Sequence, residues 1–468
     1  MNTLKEKRLF EDAPILEAVA KLAVPTVIGQ IILVIYNIAD TFFIGLTGSD
    51  AEVTAITICT PMFMFISAVS NLFGIGGCSA ISRALGKNDE IKAKNISSFA
   101  FWGCIFTTVI YSAVSYKFID KFINLLGGTN TEVHYYAYIY IIITVVIGGF
   151  ATSVSALLSH LIRSEGHGFP ASFGIALGGI LNIILDPVFM FVILKPGQEV
   201  MGAALATAIS NIISIIFFIC FMLKNRFNSV LSFAPKYFCM DKGIAKDVFV
   251  AGFPAFVMTV CENFSYGVLD KLLSQYGIKV QAGIGVAKKV NMLAHSIVRG
   301  MAQGMLPLIS YNYAKRNMKR MKKALITSTA FSVFCAVICA VSCFIFKNQL
   351  MEMFLQNSSD SVDFGAKFLC ILCIGSPFSA CAYSCISFFQ ALGYGKKSFI
   401  LAIMRKGLFD IPLMFILNRI YPIFGAVLAT PIADIICCIA AIISVYPFLK
   451  ECSTQKSGKI CNTTLEVV

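Results

Sequence analysis

Apolar residues run along this chain in long blocks, without the alternation of a half-buried strand. Blocks of about 18 or more predominantly apolar residues read as helices that cross a bilayer. Twelve are present, near 22–44, 53–80, 96–116, 134–160, 170–194, 201–223, 247–269, 280–310, 325–346, 365–390, 398–418 and 422–448. The second and eighth are longer than a bilayer requires. A polar segment, 224–246, divides the blocks into two sets of six. The expected organisation is a first lobe over 1–223, a connector over 224–246, a second lobe over 247–448 and a polar tail over 449–468.

The two sets resemble each other. Residues 202–213 read GAALATAISNII and residues 425–436 read GAVLATPIADII, identical at eight of twelve positions and 223 residues apart. Pro25 and Pro254 occupy matching places early in the first and seventh blocks. The stretch SRALGKND from Ser82 has a looser counterpart in YNYAKRN from Tyr311. One half written twice in the same order is a common transporter design. The expected fold is therefore an all-α polytopic membrane protein, with twelve transmembrane helices in two six-helix lobes related by an internal repeat.

Composition agrees. Hydrophobic residues make up 57%, the mean hydropathy is +0.79, and 13% of residues are charged, against about 25% in soluble domains. With twelve spans, 25 of the 38 basic residues fall in segments on the side of the N-terminus and eight in the opposite loops. That bias predicts that both termini are cytoplasmic, in a bacterial cell membrane. It also accounts for the net charge of +13 without nucleic acid, because the excess faces anionic headgroups. Lys5–Asp12 mixes bases and acids ahead of the first block, which is not the form of a cleaved signal peptide. The 17 cysteines lie mostly inside the blocks with no zinc-ligand spacing, and act as small hydrophobes. No HExxH or G-x-S-x-G motif is present, and the four histidines (His134, His160, His167, His295) are scattered. No enzyme, cofactor or nucleic-acid partner is expected; the chain is expected to act as a monomer in the lipid bilayer.

Ionisable residues within the blocks carry the chemistry, since a charge at the bilayer centre costs at least about 2.5–3.5 kcal/mol. The acids are Asp40, Asp186, Glu262, Asp410 and Asp434. The bases, nearer the block ends, are Lys288, Lys289, Arg299, Arg405 and Lys406. Asp40 follows Tyr36 by one turn, with Asn37 beside Tyr36, and Pro25 upstream is expected to bend that helix or mark where it begins. Asp186 follows Asn182 by four residues, so their oxygens share one helix face. Pro187 frees the carbonyl of Ile183 on the preceding turn. Such a set suits a small cation, H⁺ or Na⁺. A headgroup contact for Asp40 and a locally bonded proline kink for Asp186 are the structural alternatives. Glu262 has no basic partner in its own helix and is expected to be protonated part of the time. Lys406 is placed to neutralise Asp410. Asp434 stands opposite Asn211 in the repeat and predicts a polar helix contact. Leu269 stands opposite Asp40, and the acids of the first half have no counterparts at the matching positions of the second.

The runs PTVIGQIILVIYNIADTFFIG from Pro25, GIGGCSAISRALGKNDEIKAKN from Gly74, LIRSEG from Leu161 and LNIILDP from Leu181 resemble the MATE family of multidrug and toxic-compound extrusion transporters, most of all its bacterial MepA- and DinF-like members. The likeness runs through all twelve blocks, and the loop with Gly86, Asp89 and Ala93 is fairly specific. It implies two lobes around a central cavity that opens alternately to each face. It further implies export of cationic, often aromatic compounds in exchange for H⁺ or Na⁺. By this resemblance, cation coupling falls on Asp40, Asn182, Asp186 and Thr207, with Na⁺ as a candidate ligand of Asp40, Asn182 and Asp186. Tyr36, Asn37 and Glu262 would line the substrate and cation cavity. NorM-like members add an acid in the tenth block; 365–390 has none, so no complete cation site is implied in the second lobe. A flippase for lipid-linked oligosaccharides, of related architecture, is the alternative. Its cavity needs several bases to hold diphosphate, and the first half has no basic residue within a block.

Overall fold

The computed structural model describes residues 4–355 and 359–454, and its described residues form helices without a strand. The tail expected over 449–468 therefore lies largely outside the described residues. The first half comprises α1 (Leu4–Glu11), α2 (Ile15–Gly45), α3 (Asp50–Gly86), α4 (Glu90–Lys117), α5 (Ile119–Leu125), α6 (Thr131–Ile141), α7 (Gly149–Ser164), α8 (Gly168–Pro187) and α9 (Glu199–Lys224). The second comprises α10 (Lys242–Ser274), α11 (Ile278–Ala314), α12 (Met318–Ile345), α13 (Lys347–Glu352), α14 (Ser359–Leu392), α15 (Gly395–Ile403), α16 (Asp410–Ile420) and α17 (Phe424–Thr454).

Among the described residues, nine helices are individually long and apolar enough to span a membrane. The pair α6–α7, joined through a π turn over Ile142–Ile147 and bent by 46°, makes a tenth. The last two of the twelve are α11 and the run α15–α16. Their apolar character is diluted by Lys288, Lys289 and Arg299 in one, and by Arg405, Lys406 and Asp410 in the other. Pro25 does not mark the start of its helix: α2 begins ten residues earlier, after Pro14, and runs through it.

Repetition extends below the level of the spans. The short helices α5 and α13 follow the third span of each half. Asn88 and Arg316, the penultimate residues of the motifs SRALGKND and YNYAKRN, both adopt left-handed φ, at 58° and 62°. The next residues cap the following helices. Asp89 Oδ1 accepts from the Lys92 amide at 2.9 Å, and Asn317 Oδ1 from the Arg320 amide at 3.2 Å.

Among the described residues, the lobes share an apolar cluster at one end only. The largest apolar cluster takes residues from both halves, among them Phe73, Ile81, Val248, Ala255, Met301 and Leu308. The remaining clusters each belong to a single half. The shared cluster lies toward the loops near residues 87, 241 and 316; the separate ones lie toward the opposite loops. Helices α2 and α11 cross in this seam, as do α3 and α10, and the repeat exchanges these two pairs. Gly304 lies so close to α2 that a Cβ there would stand 2.6 Å from Ala23 Cα. At Gly252 a Cβ would stand 1.8 Å from the Leu72 carbonyl oxygen. Gln30 Nε2 donates to Gln303 Oε1 at 3.3 Å and Asn71 Nδ2 to Thr259 Oγ1 at 3.0 Å across the seam. Arg83, in the last turn of α3, donates to the carbonyls of Asp247 at 3.1 Å and Ala391 at 3.2 Å. The result is a wedge, closed on the side of the N-terminus and open opposite.

The N-terminal helix helps hold the closed end. Phe10 is fully buried and stacks on Tyr311 with ring centroids 4.9 Å apart. Arg320 donates to the carbonyls of Phe10 and Leu9 at 2.6 and 3.0 Å. Glu11 accepts from Tyr311 Oη and pairs with Lys315 Nζ, each at 2.5 Å. Burial works against ionisation of Glu11, but the bonds from Lys315 and Tyr311 and the charges of Lys315 and Lys7 outweigh it, holding its carboxyl below the ordinary value. A carboxylate whose pKa is depressed on docking stabilises the docked state above its ordinary pKa, and loses that contribution as pH falls through the depressed value. Docking of α1 should thus be firm at neutral pH and loosen in acid. Glu11→Gln should loosen it at neutral pH by roughly 1 kcal/mol, about fivefold in the opening equilibrium. Amide exchange over residues 7–12 reads this directly, and equal protection in both proteins would refute it.

Candidate functional site

In the first lobe the π turn over Val188–Ile193 follows Asp186–Pro187 directly. Such turns accompany interruptions of the regular ladder and often sit at functional positions. Asp186 is fully buried, and Asn182 and Thr207 are buried beside it. Asn182 Nδ2 donates to Asp186 Oδ1 and to Thr207 Oγ1, both at 3.2 Å. Asp40, half-buried on α2, lies near enough for its charge to act on Asp186. Asp186 Oδ2, Asn182 Oδ1 and Asp40 Oδ1 are buried oxygens without a hydrogen-bond partner. Buried polar atoms are seldom left in that condition. Two carboxylates, an amide oxygen and a hydroxyl on α2, α8 and α9 form a donor set that fits a small hard cation or a proton.

Tyr36 is half-buried next to Gly179 and close to both acids. Asn37 behaves otherwise: its Nδ2 donates to the Leu33 carbonyl at 2.6 Å, a local bond on its own helix. One residue that the sequence did not single out for this site, Lys289 of the opposite lobe, faces Asp40 within electrostatic reach.

Glu262 is not a solitary carboxylic acid. Arg299 of α11 pairs with it, Nη2 to Oε2 at 3.0 Å, and Tyr383 Oη donates to the same oxygen at 3.2 Å. The expectation of partial protonation fails because the partner comes from a neighbouring helix, which the sequence of α10 does not show. The Arg299 side chain is 37% exposed and that of Glu262 8%, so the pair sits at the edge of the lobe. Behind it, Arg405 stacks over the Tyr383 ring at 4.2 Å, donates to Ser379 Oγ at 2.9 Å, and pairs with Asp434 Oδ1 at 2.7 Å. Asp434 thus makes a buried ion pair where a polar helix contact was expected; Asn211 does make such a contact, donating to Thr152 Oγ1 at 3.2 Å. Lys406 neutralises Asp410 at 2.9 Å, as the spacing predicted.

Reading the repeat with Leu269 opposite Asp40 left the first-half acids without counterparts, and the structure corrects this for one of them. A register of 224 residues pairs Asp186 with Asp410, and a register of 223 pairs Thr207 with Thr430. Each hydroxyl bonds one member of its pair, though in opposite senses: Thr207 Oγ1 accepts from Asn182 Nδ2 at 3.2 Å, and Thr430 Oγ1 donates to Asp410 Oδ1 at 3.0 Å. The one-residue change of register, lying between the two motifs, hid the match.

Twelve spans in two repeated lobes, with a wedge-shaped opening and polar groups buried at span depth, define a membrane transporter. Residues 25–188 and 254–416 match the MatE family, one stretch in each lobe. The chain is 30% identical over 457 residues to the multidrug export protein MepA of Staphylococcus aureus strain MSSA476, covering 95% of this chain and 96% of that protein. It is likewise 30% identical to MepA of Staphylococcus saprophyticus, covering 97% and 99%. Among solved structures, one described as the outward-facing conformation of a multidrug resistance MATE family transporter superposes with a TM-score of 0.89 at 22% identity. That match covers 97% of this chain and all of the other. A MATE structure in a bent conformation gives 0.85. The chain belongs to the MATE family.

Proposed function

We propose that this protein exports cationic and aromatic compounds from a bacterial cell in exchange for H⁺ or Na⁺, by alternating access between two lobes that act within one monomer. The observation that carries the coupling assignment is the trio of buried, unpartnered oxygens on Asp40, Asn182 and Asp186. Ion entry there discharges the carboxylates, and a cationic compound favours the uncharged site's opposite state, so one occupant drives out the other. Such coupling requires each ligand to bind the two states unequally. The likeness to proteins named multidrug export protein supports the substrate class.

The lobes, 1–223 and 247–448, would move about the glycine-lined seam with 224–246 as the link. The basic bias that assigns both termini to the cytoplasm makes the open side of the wedge the external one. The flippase reading is weakened by the fate of the bases it needs. Of Lys288, Lys289, Arg299 and Arg405, three are paired, Arg405 with Asp434, Lys288 with Asp270 and Arg299 with Glu262, and Lys289 alone faces Asp40.

The test uses purified protein in liposomes, with either a pH or a Na⁺ gradient imposed and the movement of a monocationic aromatic dye followed. Dye flux that ignores both gradients would overturn ion exchange. A second expectation concerns the cavity rim. Arg299→Gln leaves the Glu262 carboxylate free to meet a cation and should tighten dye binding about two- to fivefold, the worth of a partly exposed ion pair. Glu262→Gln should weaken it. Fluorescence titration distinguishes these, and unchanged affinity in both variants removes Glu262 from the binding surface.

A further inference from the structure

The two halves bring the same three positions to one place. Asn182 and Asp186 are four residues apart, and Thr207 is the sixth residue of GAALAT. Their counterparts are Lys406 and Asp410, also four apart, and Thr430, the sixth residue of GAVLAT. The glycines that open these motifs pack alike. A Cβ at Gly202 would stand 2.9 Å from the Met190 amide nitrogen, and one at Gly425 2.0 Å from the Leu417 carbonyl oxygen. Each therefore clamps its helix against the end of the preceding one. The local scaffold is shared, and two differences are chemical: Leu269 stands where the first half has Asp40, and an amide in the first half becomes an ammonium in the second.

That ammonium completes its site. Lys406 Nζ lies 2.9 Å from Asp410 Oδ2, Ser265 Oγ donates to the same oxygen at 2.7 Å, and Thr430 Oγ1 donates to Oδ1 at 3.0 Å. All four residues are buried. Both Asp410 oxygens are thus satisfied, whereas Asp186 Oδ2 and Asn182 Oδ1 have no such partner. A primary ammonium carries the same unit charge as Na⁺ and donates to carboxylate and hydroxyl oxygens. Unlike Na⁺, it is tethered and cannot leave.

We propose that the second lobe retains a copy of the monovalent-cation site whose cation is permanently supplied by Lys406, so that only the first lobe exchanges its ion. This rests on the reading of Asp40, Asn182 and Asp186 as the exchanging site. It limits coupling to one lobe and makes Lys406 the residue that keeps the other silent. Lys406→Asn restores the first-lobe residue and opens the second site to a free cation.

The experiment is done on full-length protein carrying Asp186→Asn, which silences the first lobe, and reads thermal stability as choline is replaced by Na⁺ at constant ionic strength. The Asp186→Asn protein should show no Na⁺-specific rise in Tm. Asp186→Asn with Lys406→Asn should show a saturable rise and bind about one Na⁺ per protein, because a ligand held only by the folded state stabilises it. Adding Asp410→Asn should abolish both. A folded Lys406→Asn protein indifferent to Na⁺ overturns the proposal. So does one that cannot be recovered folded even at high Na⁺, since a free cation would then be unable to replace the ammonium. The coupling assignment fails separately, if Asp186→Asn alone keeps ion-driven dye efflux.

Discussion

Asp186→Asn should abolish ion-driven dye efflux while leaving the protein folded and able to bind dye. The substitution exchanges one buried oxygen for an amide of nearly the same shape, so Asn182 can still find a partner on it. What disappears is the negative charge that a proton or Na⁺ must neutralise. A single charge crossing 100 mV is worth about 2.3 kcal/mol, which sustains a gradient of roughly 50-fold. Without a titratable or cation-binding carboxylate that free energy is not delivered to the dye, and its distribution should relax to that of empty liposomes. For a monocationic dye exchanged against one proton the cycle is electroneutral, so only the pH gradient drives it and the loss should be read under a pH gradient. Asp40→Asn should act in the same direction. Thr207→Val, which removes one hydroxyl, should weaken coupling by about 1 kcal/mol, or roughly fivefold. Efflux undiminished in both Asp40→Asn and Asp186→Asn would remove these residues from coupling.

The second large effect is expected at the seam. Gly252→Ala places a methyl 1.8 Å from the backbone oxygen of Leu72, and Gly304→Ala places one 2.6 Å from Ala23 Cα. Backbone atoms within helices cannot step aside as a flexible side chain can, so the lobes must part where they now touch. Overpacking of this kind costs about 1–3 kcal/mol. Here it falls on one access state alone, because the opposite ends of the lobes share no apolar cluster. The balance between states should shift by roughly five- to 150-fold, and export should fall because the closed end no longer seals. Cysteines placed at Gln30 and Gln303, whose side chains are hydrogen-bonded across the seam, should cross-link less in Gly252→Ala. Gly267→Ala on the same helix, where a Cβ meets nothing within 4 Å, should change neither reading. Cross-linking and export both unaffected in Gly252→Ala would show that the seam tolerates the methyl and does not set the access state.

The spans, the duplication and the acids were legible in the sequence because each depends on local chemistry. A long apolar block must become a helix in a bilayer to satisfy its own backbone, and a carboxylate inside it is conspicuous by its cost. Asn182 and Asp186 could be paired from their spacing, since residues four apart share a face. Thr207 and Asp40 come from other helices, and their relation to Asp186 could be anticipated only through the family likeness.

What the sequence by itself determined is which segments are helices, that they form two like sets, and which residues are too polar to lie at span depth without a role. Only the tertiary structure decided which of those residues are spent on one another. Glu262 meets Arg299 from a helix that follows it across a loop, and Asp434 meets Arg405 across 29 residues. Lys406 and Asp410 could be paired from sequence, but not recognised as the counterpart of Asn182 and Asp186 without the packing of Gly202, Gly425, Thr207 and Thr430. The physical reason is common to all three. An ion pair or a ligand set is fixed by distance in space, and between helices that distance is set by packing, which no run of neighbouring residues records.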